Sequence, residues 1–263
     1  MKAQVRAIRP TEGLAGVLAF LALVMLLWLA VVPAPAGAAP EEPEFTSQFR
    51  LESCKWSSTG AQNAFFPLTP GRRLVLEGEE ESSGEVTLIE LRFSVLRQTK
   101  AISFVSAKGK KIQLTARVIE ERELEDGELV EVSRNWFARC VQTGDIYYFG
   151  ESVDNYEDGE IVNHDGSWRA GVNGALPGII MPGTYLLGAR YFQELAPGVA
   201  LDRGEHVGMG LTVPTDAGTF RGCVEVLDTN ALEPKAKGDR KVYCPGVGLT
   251  IDEVIELIEI EHF

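Results

Sequence analysis

The strongest constraint in this chain is an apolar alternation of period two, cut at short intervals by glycine turns. Ile89, Leu91, Phe93 and Val95 fall on one face of Thr87 to Val95. Ile112, Leu114, Ala116 and Val118 repeat the pattern. So do Val130, Val132, Trp136, Ala138 and Cys140, interrupted only by Arg134. Successive side chains of a strand point to opposite faces, so these segments predict strands with one apolar face. Lys108-Gly109, Asp126-Gly127, Thr143-Gly144-Asp145 and Asp158-Gly159 lie between or just beyond them. Glycine accepts the positive φ of tight hairpin turns, so residues 110–163 read as an antiparallel meander.

Residues 165–200 have a different texture. Gly166, Gly171, Gly174, Pro177, Gly178, Pro182, Gly183, Gly188, Pro197 and Gly198 preclude long elements. An ordered loop region is predicted there, with short strands at Tyr185 to Leu187 and Arg190 to Gln193. Strands return at Phe220 to Leu227, Lys241 to Cys244 and Gly248 to Ile251. The tail, Glu253 to Ile260, fits a last strand or a short helix equally well. No long, capped helical pattern follows residue 38. The fold expected is all-β: a single antiparallel β-rich domain over residues 48–263, its meander forming a curled sheet, half-barrel or barrel.

The first forty residues point to export. Lys2, Arg6 and Arg9 precede the uncharged apolar run Leu14 to Val32, and Ala36-Gly37-Ala38 supplies small residues for cleavage before Ala39. Residues 1–38 therefore read as a signal peptide and 39–47 as a flexible leader. The run is also just long enough to serve as an uncleaved membrane tether. The 263-residue chain carries 25 Lys plus Arg against 38 Asp plus Glu. Cleavage removes Lys2, Arg6, Arg9 and Glu12, leaving 22 basic and 37 acidic residues, a net charge of −15. Such a chain is repelled by phosphate backbones and by anionic membranes. Neither nucleic acid nor, after cleavage, a membrane is expected as partner; the destination is the periplasm or the exterior.

Cys54, Cys140, Cys223 and Cys244 all lie in the mature part, and none forms a C-x-x-C pair. Four cysteines allow three connectivities. If the strands around Pro234 and Gly238 pair symmetrically, Val226 faces Lys241 and Cys223 faces Cys244, close enough for a disulfide. Cys54 and Cys140 then form the second bridge.

Catalytic signatures fail one after another. The chain has no G-x-S-x-G elbow, no H-E-x-x-H and no P-loop. Its three histidines are His164, His206 and the penultimate His262, so His164 and His206 are the candidate bases. Asp154, Asp158 and Asp165 fall at positions 1, 5 and 12 of a calcium-type loop. Tyr156 occupies a ligand position and Asp165 is too short for a bidentate Glu, so an Asp-Gly hairpin is the simpler reading and no metal or other cofactor is expected. Trp56, Phe65, Phe66, Trp136, Tyr147, Tyr148, Phe149, Tyr156 and Trp168 form either core or a pocket lining.

Several longer motifs occur together: Asn63-Ala64-Phe65-Phe66-Pro67-Leu68-Thr69-Pro70-Gly71, Tyr148-Phe149-Gly150-Glu151, Gly166-Ser167-Trp168-Arg169-Ala170-Gly171-Val172, Pro177-Gly178-Ile179-Ile180-Met181-Pro182 and Tyr243-Cys244-Pro245-Gly246-Val247-Gly248. In these the chain resembles a group of uncharacterised exported bacterial proteins. It departs from them at Leu74 and Leu76, where aromatics are usual, and at Cys244, where a small residue is commoner. The resemblance implies an exported bacterial β-rich domain and transfers no catalytic residue. The function expected is a non-enzymatic binding or scaffolding domain, with a small apolar ligand or a protein as partner. The alternatives are a hydrolase acting on an envelope or extracellular polymer, and a calcium-dependent adhesion or matrix protein.

Overall fold

The computed structural model describes residues 44–59, 62–82 and 84–263. The expected signal segment, its cleavage point before Ala39 and the start of the leader lie outside the described residues.

The strands are β1 (Trp56–Ser57), β2 (Arg72–Ser82), β3 (Glu85–Val105), β4 (Lys111–Glu125), β5 (Glu128–Cys140), β6 (Ile146–Glu157), β7 (Glu160–Asn163) and β8 (Trp168–Arg169). They continue as β9 (Leu176–Met181), β10 (Arg190–Phe192), β11 (Glu194–Leu195), β12 (Asp202–Thr215), β13 (Gly218–Asn230), β14 (Asp239–Cys244), β15 (Gly248–Asp252) and β16 (Ile255–His262). All sixteen belong to one sheet, in the order β10-β12-β13-β14-β15-β16-β2-β3-β4-β5-β6-β9-β11, with β1, β7 and β8 off this path. Every named strand pairing is antiparallel. The sheet does not close into a barrel. It is the curled sheet that the alternation calls for, carried by a chain with no α-helix among its described residues.

The tail is a strand. β16 lies between β15 and β2, and pairs Leu257 with Leu76 and Ile260 with Leu74. Leu257 and Leu76 are both fully buried. A helix would turn part of this apolar set away from β2, so burial decides what periodicity left open. Two further differences come from edge pairing. Tyr185 to Leu187 is not a strand. Its segment passes over His206, where Gly188 N–H donates to His206 O and His206 N–H to Ala189 O. The end of the leader is ordered, because Thr46 bridges Tyr191 and Phe45 packs edge-on against Phe192.

The core joins residues of both sheet arms to the 63–70 segment, with Leu68, Ile119, Phe149, Met181 and Leu257 fully buried. Asn63 fastens that segment. Its Nδ2 donates to the carbonyls of Gly144, Met181 and Pro182 at 3.1, 3.3 and 3.1 Å, while Oδ1 accepts from the amides of Phe65 and Phe66. A buried amide with all these partners is a costly group to displace. It delivers Phe66 to a cluster with Phe93, Phe137 and Tyr243.

Two disulfides cross-link the sheet. Cys54–Cys140 ties the start of the described chain to the end of β5, and Cys223–Cys244 joins β13 to β14. Val226 faces Lys241 in that second pair of strands. Among the described residues no cysteine is free. This is the state of a protein matured in an oxidising compartment.

Candidate functional site

A cavity of about 530 Å³ lies where the two arms of the curled sheet face each other. One arm supplies Glu121 from β4, Glu131, Ser133, Asn135 and Phe137 from β5, and Tyr148 and Glu151 from β6. The other supplies Asp202, Asp228, Lys241, Tyr243 and Asp252 from β12 to β15. Gln193 and Glu194 come from the glycine-rich region between them. The volume lies in the range of small-molecule sites. Its lining is far more acidic than such sites usually are: nine carboxylate residues against Lys237 and Lys241.

Local backbone features aim these side chains. On β5 the residues at 131, 133, 135 and 137 alternate with the apolar set, so they form the strand's other face. That face is enclosed, since Ser133 and Asn135 are buried. Between β5 and β6 the register shifts: Asn135 faces Glu151, but Phe137 faces Tyr148. The extra residue on β6 brings Tyr148 and Glu151, three positions apart, into the same cavity. Gly150 absorbs the distortion at φ +125°, and a Cβ there would come within 2.4 Å of Trp168 O. At Gly178 on β9, a Cβ would lie 2.3 Å from Phe192 O. That close approach holds Gln193 and Glu194 against the sheet.

The cavity has two electrostatic ends. At one, Lys241 Nζ lies 3.1 Å from Asp252 Oδ2 and 3.9 Å from Asp228 Oδ2. Burial opposes the lysine's charge, yet the two aspartates outweigh it and hold its pKa above the ordinary value. Burial pushes Asp228 up to about 7, against the pull of Lys241 and of Gln193, whose Nε2 donates to Asp228 Oδ1 at 2.8 Å. At the other end, Glu151, Glu194 and Asp202 make no ion pair among the described residues. Burial, reinforced by Glu121, raises Glu151 to about 8. Burial, with Glu151 and Asp202 close by, raises Glu194 well above the carboxylate range. Asp202, close to Glu194, is raised by burial. Between the two ends, Glu121 is raised to about 7 by burial and accepts a hydrogen bond from Asn135. The Tyr148 hydroxyl donates to Asn135 Oδ1.

The residues singled out from sequence are scattered. His206 is buried and stacked on Tyr185, with Nδ1 2.9 Å from Leu186 O and Nε2 2.9 Å from the Tyr191 hydroxyl. Burial lowers it to about 4, so it is a neutral structural group at pH 7. His164 is exposed and lies 2.9 Å from Asp154 Oδ1, away from the cavity lining. Asp154, Asp158 and Asp165 do not converge. Asp154 also pairs with Arg134, and Asp158 takes φ +53° in the turn between β6 and β7. Among the described residues no three His, Cys, Asp or Glu side chains are placed to hold a metal ion. Of the aromatics, Phe66 and Tyr148 line the cavity. Trp56, Tyr147 and Phe149 pack together edge-on, and Trp136 lies under Lys100. The carboxylates of the cavity are not marked by any motif: most stand alone or beside a turn, and Glu121 sits in the acidic stretch Glu120 to Glu125. The one available signal was the polar alternation Glu131, Ser133, Asn135, which reads as a solvated face.

No protein-family model matches the chain, and no curated protein matches it either. Among solved structures it is similar to a putative lipoprotein from Parabacteroides distasonis, at 14% identity and a TM-score of 0.30. That match covers 76% of this chain and 99% of the other.

Proposed function

We propose that the protein is an exported, non-enzymatic binding protein, and that the curled sheet exists to present the cavity between its arms to a small polar ligand. The supporting observation is the cavity itself: about 530 Å³ of space walled by carboxylates and aromatics instead of being filled by core side chains. A fold needing only stability would fill this volume, because buried unpaired acids are costly. Export follows from the apolar run ending at Ala36-Gly37-Ala38 and from the two disulfides. The lining favours a polar ligand over an apolar one. A hydrolase is the second reading, since Glu121 near 7 and Glu151 near 8 have the acidity of general acids.

Crystals soaked with a fragment library of neutral, anionic and cationic members test the binding reading. Fragments gathering against Tyr148, Tyr243 and the carboxylates are the expected result. A cavity that stays empty in every soak, while fragments collect elsewhere, contradicts it. Turnover of a chromogenic glycoside or ester that is abolished in Glu151→Gln would favour the hydrolase.

A further inference from the structure

We propose that the ligand is an organic ammonium cation, which enters beside Glu151, Glu194 and Asp202 and is held by their carboxylates. This rests on the cavity being a binding site and says what it binds.

Charge accounting leads there first. Lys241 is already matched by Asp228 and Asp252, so it neutralises one end only. Among the described residues Glu151, Glu194 and Asp202 make no ion pair, and Lys241 acts on Asp202 only from a distance. The second, independent observation is Glu194. It lines the cavity, is only 7% exposed, and its Oε2 has no hydrogen-bond donor among the described residues. A buried carboxyl oxygen without a donor is an expensive arrangement unless a proton or a ligand completes it. Trp168 is part of the same defect. Its indole Nε1–H, close to Glu194, is buried without an acceptor in hydrogen-bond geometry.

The cation is organic on three grounds. Among the described residues no set of donors converges as a metal requires. The space is far larger than an ion needs. Tyr148, Tyr243, Phe66 and Phe137 offer apolar walls, which suit methylene groups and attract ammonium groups. Binding releases to solvent the protons these raised carboxyls hold, so charge balances: an ammonium group replaces a proton against the same carboxyls.

Calorimetric titration at pH 8 and constant ionic strength tests this with spermidine, calcium chloride and maltotriose as probes. Spermidine should bind one to one. Glu151→Gln with Glu194→Gln should weaken it about tenfold or more, a loss typical of charged contacts. Glu261→Gln, which removes a surface carboxylate paired with Arg73, controls for general attraction to an acidic protein and should leave binding unchanged. Both replacements put a neutral amide of the same shape where a raised carboxyl stood, so the variants should fold, and their melting curves confirm it. Equal weakening in the Glu261 variant overturns the assignment, as does binding that ignores the cavity variants. Calcium binding without spermidine binding overturns the organic cation. Binding of maltotriose alone overturns it too, while leaving the cavity as a site. No binding by any probe also overturns it, and the fragment soaks then decide separately whether the cavity binds anything.

Discussion

Cys54→Ala with Cys140→Ala should lower the unfolding free energy by about 4–5 kcal/mol, the largest single-site loss expected in this molecule. The bridge closes a separation of 86 residues, against 21 for Cys223–Cys244. The chain-entropy cost of an open loop grows with the logarithm of its length, which puts the shorter bridge at about 3 kcal/mol. For a domain of this size the longer bridge is then worth about 8–20 °C in melting temperature. The consequences reach the cavity, because the chain from Cys54 leads through β1 to the Asn63-anchored segment that carries Phe66 into its wall. Scanning calorimetry of both double variants measures the two losses. A drop below about 1 kcal/mol for the longer bridge, or a larger one for the shorter, would show that the cross-links act otherwise than through loop closure.

The second large effect is in pH. Glu121 and Asp228 near 7, Glu151 near 8 and Glu194 above the carboxylate range all hold protons in the native state that the unfolded chain has released. Where the native state binds more protons, stability falls as pH rises. These acids therefore stabilise the empty protein at low pH, and that contribution is lost as pH passes through their native pKa values. His206 has the opposite sign: held near 4 by burial, it penalises folding only below its unfolded value near 6.5. The window from pH 6.5 to 8.5 thus isolates the acids; across it Glu121, Asp228 and Glu151 together should cost about 4 kcal/mol, and Glu194 adds to that loss. Denaturant midpoints taken at half-unit steps measure this. Glu151→Gln cannot ionise and should remove about 2 kcal/mol of the loss. A stability that is flat or rising across that window would mean the carboxyls are hydrated and ordinary.

The strands were legible where one face is apolar and one polar. Thr87 to Val95, Ile112 to Val118 and Val130 to Cys140 lie within β3, β4 and β5. The missing strands have clear reasons. β2 ends in Glu79, Glu80 and Glu81, which dilute its apolar alternation. β12 carries Gly204, Gly208 and Gly210 and three register shifts, so its period is never sustained. The cavity was illegible for a different reason. Period two says which residues share a face, not which face is enclosed. On β5, Val132 and Ser133 are both buried, and only the opposing arm, a hundred residues later, makes the polar side an interior. Glu194 and Asp202 reach that interior through a segment whose glycines were legible as breakers and not as close contacts.

The central claim is that the cavity's carboxyls hold protons in the empty protein and surrender them to a cation. The most direct measurement is the number of protons released when spermidine binds at pH 7, read from the dependence of the binding enthalpy on the ionisation enthalpy of the buffer. The account predicts release of about one proton or more per spermidine, since Glu151, near 8, is mostly protonated there and Glu194 is raised in the same direction. It also predicts that the release is reduced or abolished in Glu151→Gln with Glu194→Gln. Spermidine binding with no proton released, or with the same release in that variant, would contradict it.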